Sequence, residues 1–87
     1  MNWINVNDKH FVDIEKFEDG SYKWTENNNC PKNPFLVGLF AKEELQYWLV
    51  VLTDNGLAEW TEDDTYPLDC WCITDIEFWC EIVPPTS

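Results

Sequence analysis

Two groups of carboxylates in the latter half of the chain are the residues best placed to do chemistry. Glu62-Asp63-Asp64 is an unbroken acidic run, and Asp75, Glu77 and Glu81 alternate with Trp79 in their midst. In an extended strand every second residue shares a face, so these four would project together, with successive positions about 6.6 Å apart. That interval resembles the charge spacing of a nucleic-acid backbone, and Trp79 would serve as an aromatic anchor among the charges. The chemistry so described is recognition, not bond making. Acids this numerous single out no pair as general acid and base, and an enzyme is not expected.

Other reactive groups point the same way. Cys70-x-Cys72 is one residue short of the usual zinc-knuckle spacing and Cys30 stands apart, so neither a metal nor a cofactor is expected. His10 is the sole imidazole, and nothing around it pairs it with a thiol nucleophile. Gly20, Gly38 and Gly56 are too dispersed to form a phosphate loop.

Charge narrows the choice of partner. The 87 residues hold 17 Asp and Glu against 5 basic residues, all lysine, for a formal net charge of −12. The imbalance is local: residues 1–42 sum to −1, whereas residues 43–87 contain no base and sum to −11. Direct contact with nucleic acid or with an anionic membrane is disfavoured, because both require Lys or Arg. A basic protein surface, approached with electrostatic assistance, fits this field best. Residues 1–20 lack the apolar run of a signal peptide, and no segment approaches the ~20 apolar residues of a membrane helix. A cytoplasmic setting with reduced thiols is therefore the expectation.

The elements that must position the acids are strands. Tyr47 to Trp60 reads as a β-hairpin, with six mostly β-branched or aromatic apolar residues leading to Asn55-Gly56. A turn centred on that dipeptide would set Val51 opposite Trp60 and Leu52 opposite Glu59. The first arm is apolar on both faces and is expected to be covered on both. Trp3 to Val6 suggests a short first strand, and Phe11 to Thr25 a second hairpin turning at Asp19-Gly20, with a helical turn as the alternative. Residues 27–34 read as a loop and Phe35 to Ala41 as a buried strand, where Gly38 implies a bulge or a close neighbour. Thr61 to Pro67 reads as an acidic loop. From Asp69 to Val83 the period is two, which predicts one long strand bent near Thr74-Asp75, with Cys70, Cys72 and Cys80 facing the core. The fold class expected is one mainly β domain over residues 1–87, a small antiparallel bent sheet or open barrel around the central hairpin.

The two ends of the chain resemble a family. Trp3-Ile4-Asn5-Val6 resembles the Trp-Ile-x-Val opening, and Ile76-Glu77-Phe78-Trp79-Cys80-Glu81-Ile82-Val83-Pro84-Pro85 the Thr-His-Trp-x-Pro-Leu-Pro closing, of small uncharacterised proteins frequent in phage and prophage genomes. The resemblance implies a mobile-element origin and no particular reaction. Joined to the charge pattern, it leads to the expectation of an anti-CRISPR-like inhibitor. Its partner would be a basic host protein such as a CRISPR-Cas effector, blocked by nucleic-acid mimicry through Glu62, Asp63, Asp64, Asp75, Glu77, Trp79 and Glu81. A homodimer is compatible with this. The alternative is a small-ligand module whose tryptophans stack on a nucleotide-like signal, although the absence of Arg counts against a phosphate.

Overall fold

A computed structural model describes residues 2–68 and 71–82. The described residues form eight strands: β1 (Ile4–Asn5), β2 (Val12–Lys16), β3 (Tyr22–Glu26), β4 (Phe35–Ala41), β5 (Glu44–Thr53), β6 (Gly56–Trp60), β7 (Thr65–Pro67) and β8 (Phe78–Glu81), with a 3-10 turn at Ile73–Asp75. Six of them make one antiparallel sheet in the order β1-β8-β4-β5-β6-β7, and β2 and β3 pair separately as a hairpin. The fold is mainly β, as expected, and the sheet does not close into a barrel. No helix among the described residues is long and apolar enough to cross a membrane.

The ladder pairings assign each side chain to a face. One face carries Ile4, Trp79, Val37 and Trp48 in one row across the sheet and Phe35 and Val50 in the next. Phe11, the β2–β3 hairpin and the segment around Ile73 and Ile76 cover this face, and together they form the core. Phe11, Phe35 and Trp79 meet edge to face, with ring centroids 5.4, 6.1 and 6.5 Å apart. Such pairs add about 0.5–1.5 kcal/mol each beyond the area they bury. The Trp79 indole N–H donates to the Lys9 carbonyl at 2.7 Å, which fastens the segment before β2 to the last strand.

Four expectations are corrected. The central hairpin turns on Asp54-Asn55: Thr53 pairs with Gly56, Leu52 with Leu57 and Val51 with Ala58. Only Gly56 takes a left-handed φ there, +113°, and the Thr53 hydroxyl holds the turn by donating to the Gly56 carbonyl at 2.8 Å. Among the described residues the first arm carries a full layer on one face and partial cover on the other, where Trp3 packs on Tyr47 yet Tyr47 is 60% exposed. A chain this short supplies a single covering layer. Residues 61–67 are not all loop, because Thr65–Pro67 adds a short edge strand to β6, where Pro67 is tolerated. Last, residues 69–83 do not form one long strand. The Asp75 carboxylate accepts the Cys72 N–H at 2.8 Å and the Asp75 N–H donates to the Cys72 carbonyl at 2.9 Å, which curls the chain where the bend was expected.

Other expectations hold. Residues 12–26 form the hairpin, with Gly20 at φ +90° in its turn. At Gly38 the β4–β5 register is unbroken, so the second reading applies: a Cβ there would lie 3.0 Å from the Gln46 carbonyl oxygen and 3.4 Å from the Tyr47 Cβ.

Candidate functional site

The predicted acids occupy three separate places. Glu62, Asp63 and Asp64 lie exposed in the turn joining β6 to β7, at one lateral edge of the sheet. The hydrogen bonds of this turn run through the ends: the Thr61 hydroxyl donates to the Asp64 carbonyl at 2.8 Å, and the Asp64 carboxylate accepts the Thr65 N–H at 2.8 Å. Glu62 and Asp63 therefore extend into solvent between them.

Asp75 and Glu77 are exposed but occupied. Asp75 holds the 3-10 turn, as described, and Glu77 accepts the Phe40 N–H at 2.7 Å. Strand β8 begins opposite Gly38, so the amide of Phe40 has no strand partner on that side, and the Glu77 side chain takes the place of one. Glu81 pairs with Phe35 at the margin of the covered face. Trp79 is 2% exposed in the core, and its expected role as an outward anchor is corrected. The expected row of carboxylates does not form, because the curl at Ile73–Asp75 removes Asp75 from the strand.

The cysteines divide. Cys30 is buried in the core and Cys80 is buried on the opposite face of the sheet beside Leu36, whereas Cys72 is exposed, so neither Cys72 nor Cys80 faces the core as expected. Cys70 lies outside the described residues. Burial pushes the Cys30 thiol up from near 9 to about 11, with Glu26 adding to the effect. Among the described residues no three His, Cys, Asp or Glu side chains converge as metal ligands do. His10 is half-buried, and desolvation lowers its pKa against the opposing pull of Asp13. Its Nδ1 accepts the Val12 N–H at 3.3 Å and its carbonyl accepts the Asn27 side-chain amide at 2.9 Å. The imidazole thus serves the start of β2.

Two features were not foreseen. One is a cleft of about 280 Å³ between the β2–β3 hairpin and β6, walled by Tyr22, Trp24, Leu57 and Trp71, with Cys72 at its border. Sequence gives no sign of it, since its walls come from four separate segments. The other is the bare face of the sheet, bare in that no second layer among the described residues lies on it; Leu36, Ala58 and Cys80 are nonetheless buried within it, and the Trp3 ring packs 6.2 Å from that of Tyr47. There Asn5, Phe78, Gly38 and Tyr47 lie in one row, and Leu36 lies between Cys80 and Leu49 in the next. Phe40 and Leu45 pair at one end and Val51, Ala58 and Pro67 farther along. No strand position on this face is charged; the strand acids Glu44, Glu59 and Glu81 are all on the other. The visible signal is the alternation Leu45, Tyr47, Leu49, Val51 within a run where both parities are apolar.

No protein-family model matches the chain, and no curated protein or solved structure matches it either.

Proposed function

We propose that this is a small acidic binding protein that docks on a basic surface of a host nucleic-acid-processing protein and occludes it, as an anti-CRISPR-like inhibitor encoded by a mobile element does. The observation that carries this reading is the charge: eleven acids and no base in residues 43–87, with no charged side chain buried among the described residues. Every described carboxylate in this half is exposed, and a cationic groove is the surface that gains most from such a field. The phage-type resemblance at the two chain ends supports a host defence protein, with CRISPR-Cas effectors as the leading class.

The contact is centred on the β6–β7 turn. Glu62 and Asp63 bear no part of the fold, and Glu81 at the far end of β8 adds to the same field. The test is binding of the purified protein to candidate effectors by calorimetry across a salt series. Binding should weaken steeply as salt rises, and Glu62→Gln with Asp63→Asn should weaken it at least tenfold without changing the melting temperature. Affinity that is indifferent to both salt and these substitutions would refute the reading.

A second reading rests on the aromatic cleft. Tyr22, Trp24 and Trp71 could hold an uncharged planar ligand, and the absence of any basic residue among its walls excludes a phosphate anchor there. Native mass spectrometry of protein taken from its host would reveal such a ligand as added mass.

A further inference from the structure

We infer that the bare face of the six-stranded sheet is the interface of a homodimer, two copies stacking face to face about a two-fold axis. The argument begins with what this face exposes. Phe40 is 56% exposed, Tyr47 60%, Leu45 39% and Ile82 41%, with Phe78 and Trp60 half-covered between them. Phe40 packs edge-on to Phe78 at 5.6 Å and Trp3 packs against Tyr47 at 6.2 Å, so the rings stand in pairs above the buried Leu36 and Cys80.

Charge distribution selects the occupant. A net charge of −12 is carried by a chain whose strand positions on this face hold no charge at all. A basic partner gains nothing from an uncharged face, and an anionic membrane is repelled by the acids around it. A second copy is complementary without any change, because an apolar face meets itself and both sets of acids stay outside the stack. Stacked sheets lie about 10 Å apart, which leaves room for interlocking side chains such as Tyr47 and Phe40.

Area and the sheet edges agree with this. The exposed apolar parts of Phe40, Leu45, Tyr47 and Ile82 with their neighbours make a patch of the size usual for the largest on a monomer, roughly 300–600 Å². A two-fold stack buries both patches, about 1,000 Å² in total, which sits at the lower threshold for a biological interface and fits a dimer that forms only at the upper protein concentrations. Pairing at the sheet edges is a poorer route. The edge strands β1 and β7 have 2 and 3 residues, and β7 contains Pro67. The result would be a four-layer particle with two sheets at its centre and two hairpins outside.

Salt separates this interface from the acidic contact. Binding of a basic partner weakens with salt, whereas two copies of like charge associate more tightly when their repulsion is screened. Sedimentation equilibrium of the wild-type protein at 5–200 µM protein, in about 0.15 and 0.5 M sodium chloride, should give twice the 10.3 kDa chain mass at the upper concentrations. The dissociation constant should fall at higher salt. Tyr47→Lys and, separately, Phe40→Ser should each raise it at least thirtyfold, while Tyr66→Ser, on an exposed ring of the other face, leaves it unchanged. Phe40 is the safer position if Tyr47→Lys loses its fold, and circular dichroism of each variant decides which is scored. A monomer throughout, a dimer indifferent to Phe40→Ser, or a dimer dispersed by salt would each overturn the inference.

Discussion

The carboxylate of Glu77 accepts the backbone N–H of Phe40 at 2.7 Å, across 37 residues of sequence. It completes the hydrogen bonding of β4 where β8 stops short. A residue whose type and alternation suit a docking face is thus committed to closing the sheet. Glu77→Ala should cost about 1 kcal/mol, since the bond is to a charged group yet lies at the surface. For a domain of this size that lowers the melting temperature by about 4–8 °C. Glu62→Gln and Asp63→Asn, in the β6–β7 turn, should leave it unchanged. Differential scanning calorimetry of the three variants checks the contrast.

The β4–β5 turn stores strain. Ala41 pairs with Glu44, so Lys42 and Glu43 alone span the gap, with φ of +53° and +67°. Both are ordinary residues in the left-handed region that Asn and Gly occupy with least cost. Replacing them together, Lys42→Asn with Glu43→Gly, removes one charge of each sign and leaves the net charge at −12. The double variant should gain about 1–2 kcal/mol, visible as a higher urea midpoint with an unchanged m-value.

Alternation and turn residues made much of this fold legible in advance. The β2–β3 hairpin and strand β4 lie where Asp19-Gly20 and Phe35 to Ala41 place them. The central hairpin shows why boundaries are harder. Its turn sits one residue earlier than Asn55-Gly56 suggests because the Thr53 hydroxyl binds the Gly56 carbonyl. Val51 therefore meets Ala58 instead of Trp60, yet Ala58 and Trp60 share a face, so the division into two faces survives the slip. The C-terminal stretch fails for a different reason. Period two cannot reveal that the Asp75 side chain captures the Cys72 amide three residues back and ends the strand pattern. The parity is reversed as well, since Trp79 and Glu81 share the covered face with Val37 and Phe35, so an uninterrupted strand would have turned the row towards the core. The bare face was hidden for a third reason, since strand β5 is apolar at both parities and sequence cannot tell which one a small chain has layers enough to cover.

Trp79 combines burial with a long-range hydrogen bond. Trp79→Phe removes the indole donor from the Lys9 carbonyl and leaves space beside Phe11 and Phe35. The lost bond and the smaller ring together should cost about 2–3 kcal/mol. Equilibrium urea denaturation followed by far-ultraviolet circular dichroism measures it. A cost below about 0.5 kcal/mol would mean that Trp79 is not the keystone described.

Accessibility orders the thiols. Native protein treated with iodoacetamide at pH 8 should be alkylated at Cys72 well before Cys30 or Cys80, because the first is exposed and the others are buried. Cys30 is further protected, since its thiol titrates near 11 and is scarcely ionised at pH 8. Peptide mapping by mass spectrometry at successive times resolves the order.

Two groups give stability a pH dependence of opposite slope. His10 titrates below its ordinary value of 6.5 in the folded protein, so the unfolded chain binds the proton more readily. Its contribution is complete above pH 6.5 and declines as pH falls from there towards the folded-state value. Protonating Nδ1 also removes the acceptor of the Val12 N–H. Cys30 behaves in the reverse sense: its folded pKa is raised, so its contribution is complete below about pH 9 and declines as pH rises towards 11. Urea midpoints at intervals from pH 4.5 to 11 should fall at both ends. Subtracting the curve of His10→Gln should remove part of the acid limb and leave the alkaline one, while Cys30→Ala should do the opposite. If neither difference depends on pH, the burial of these two side chains does not control their titration.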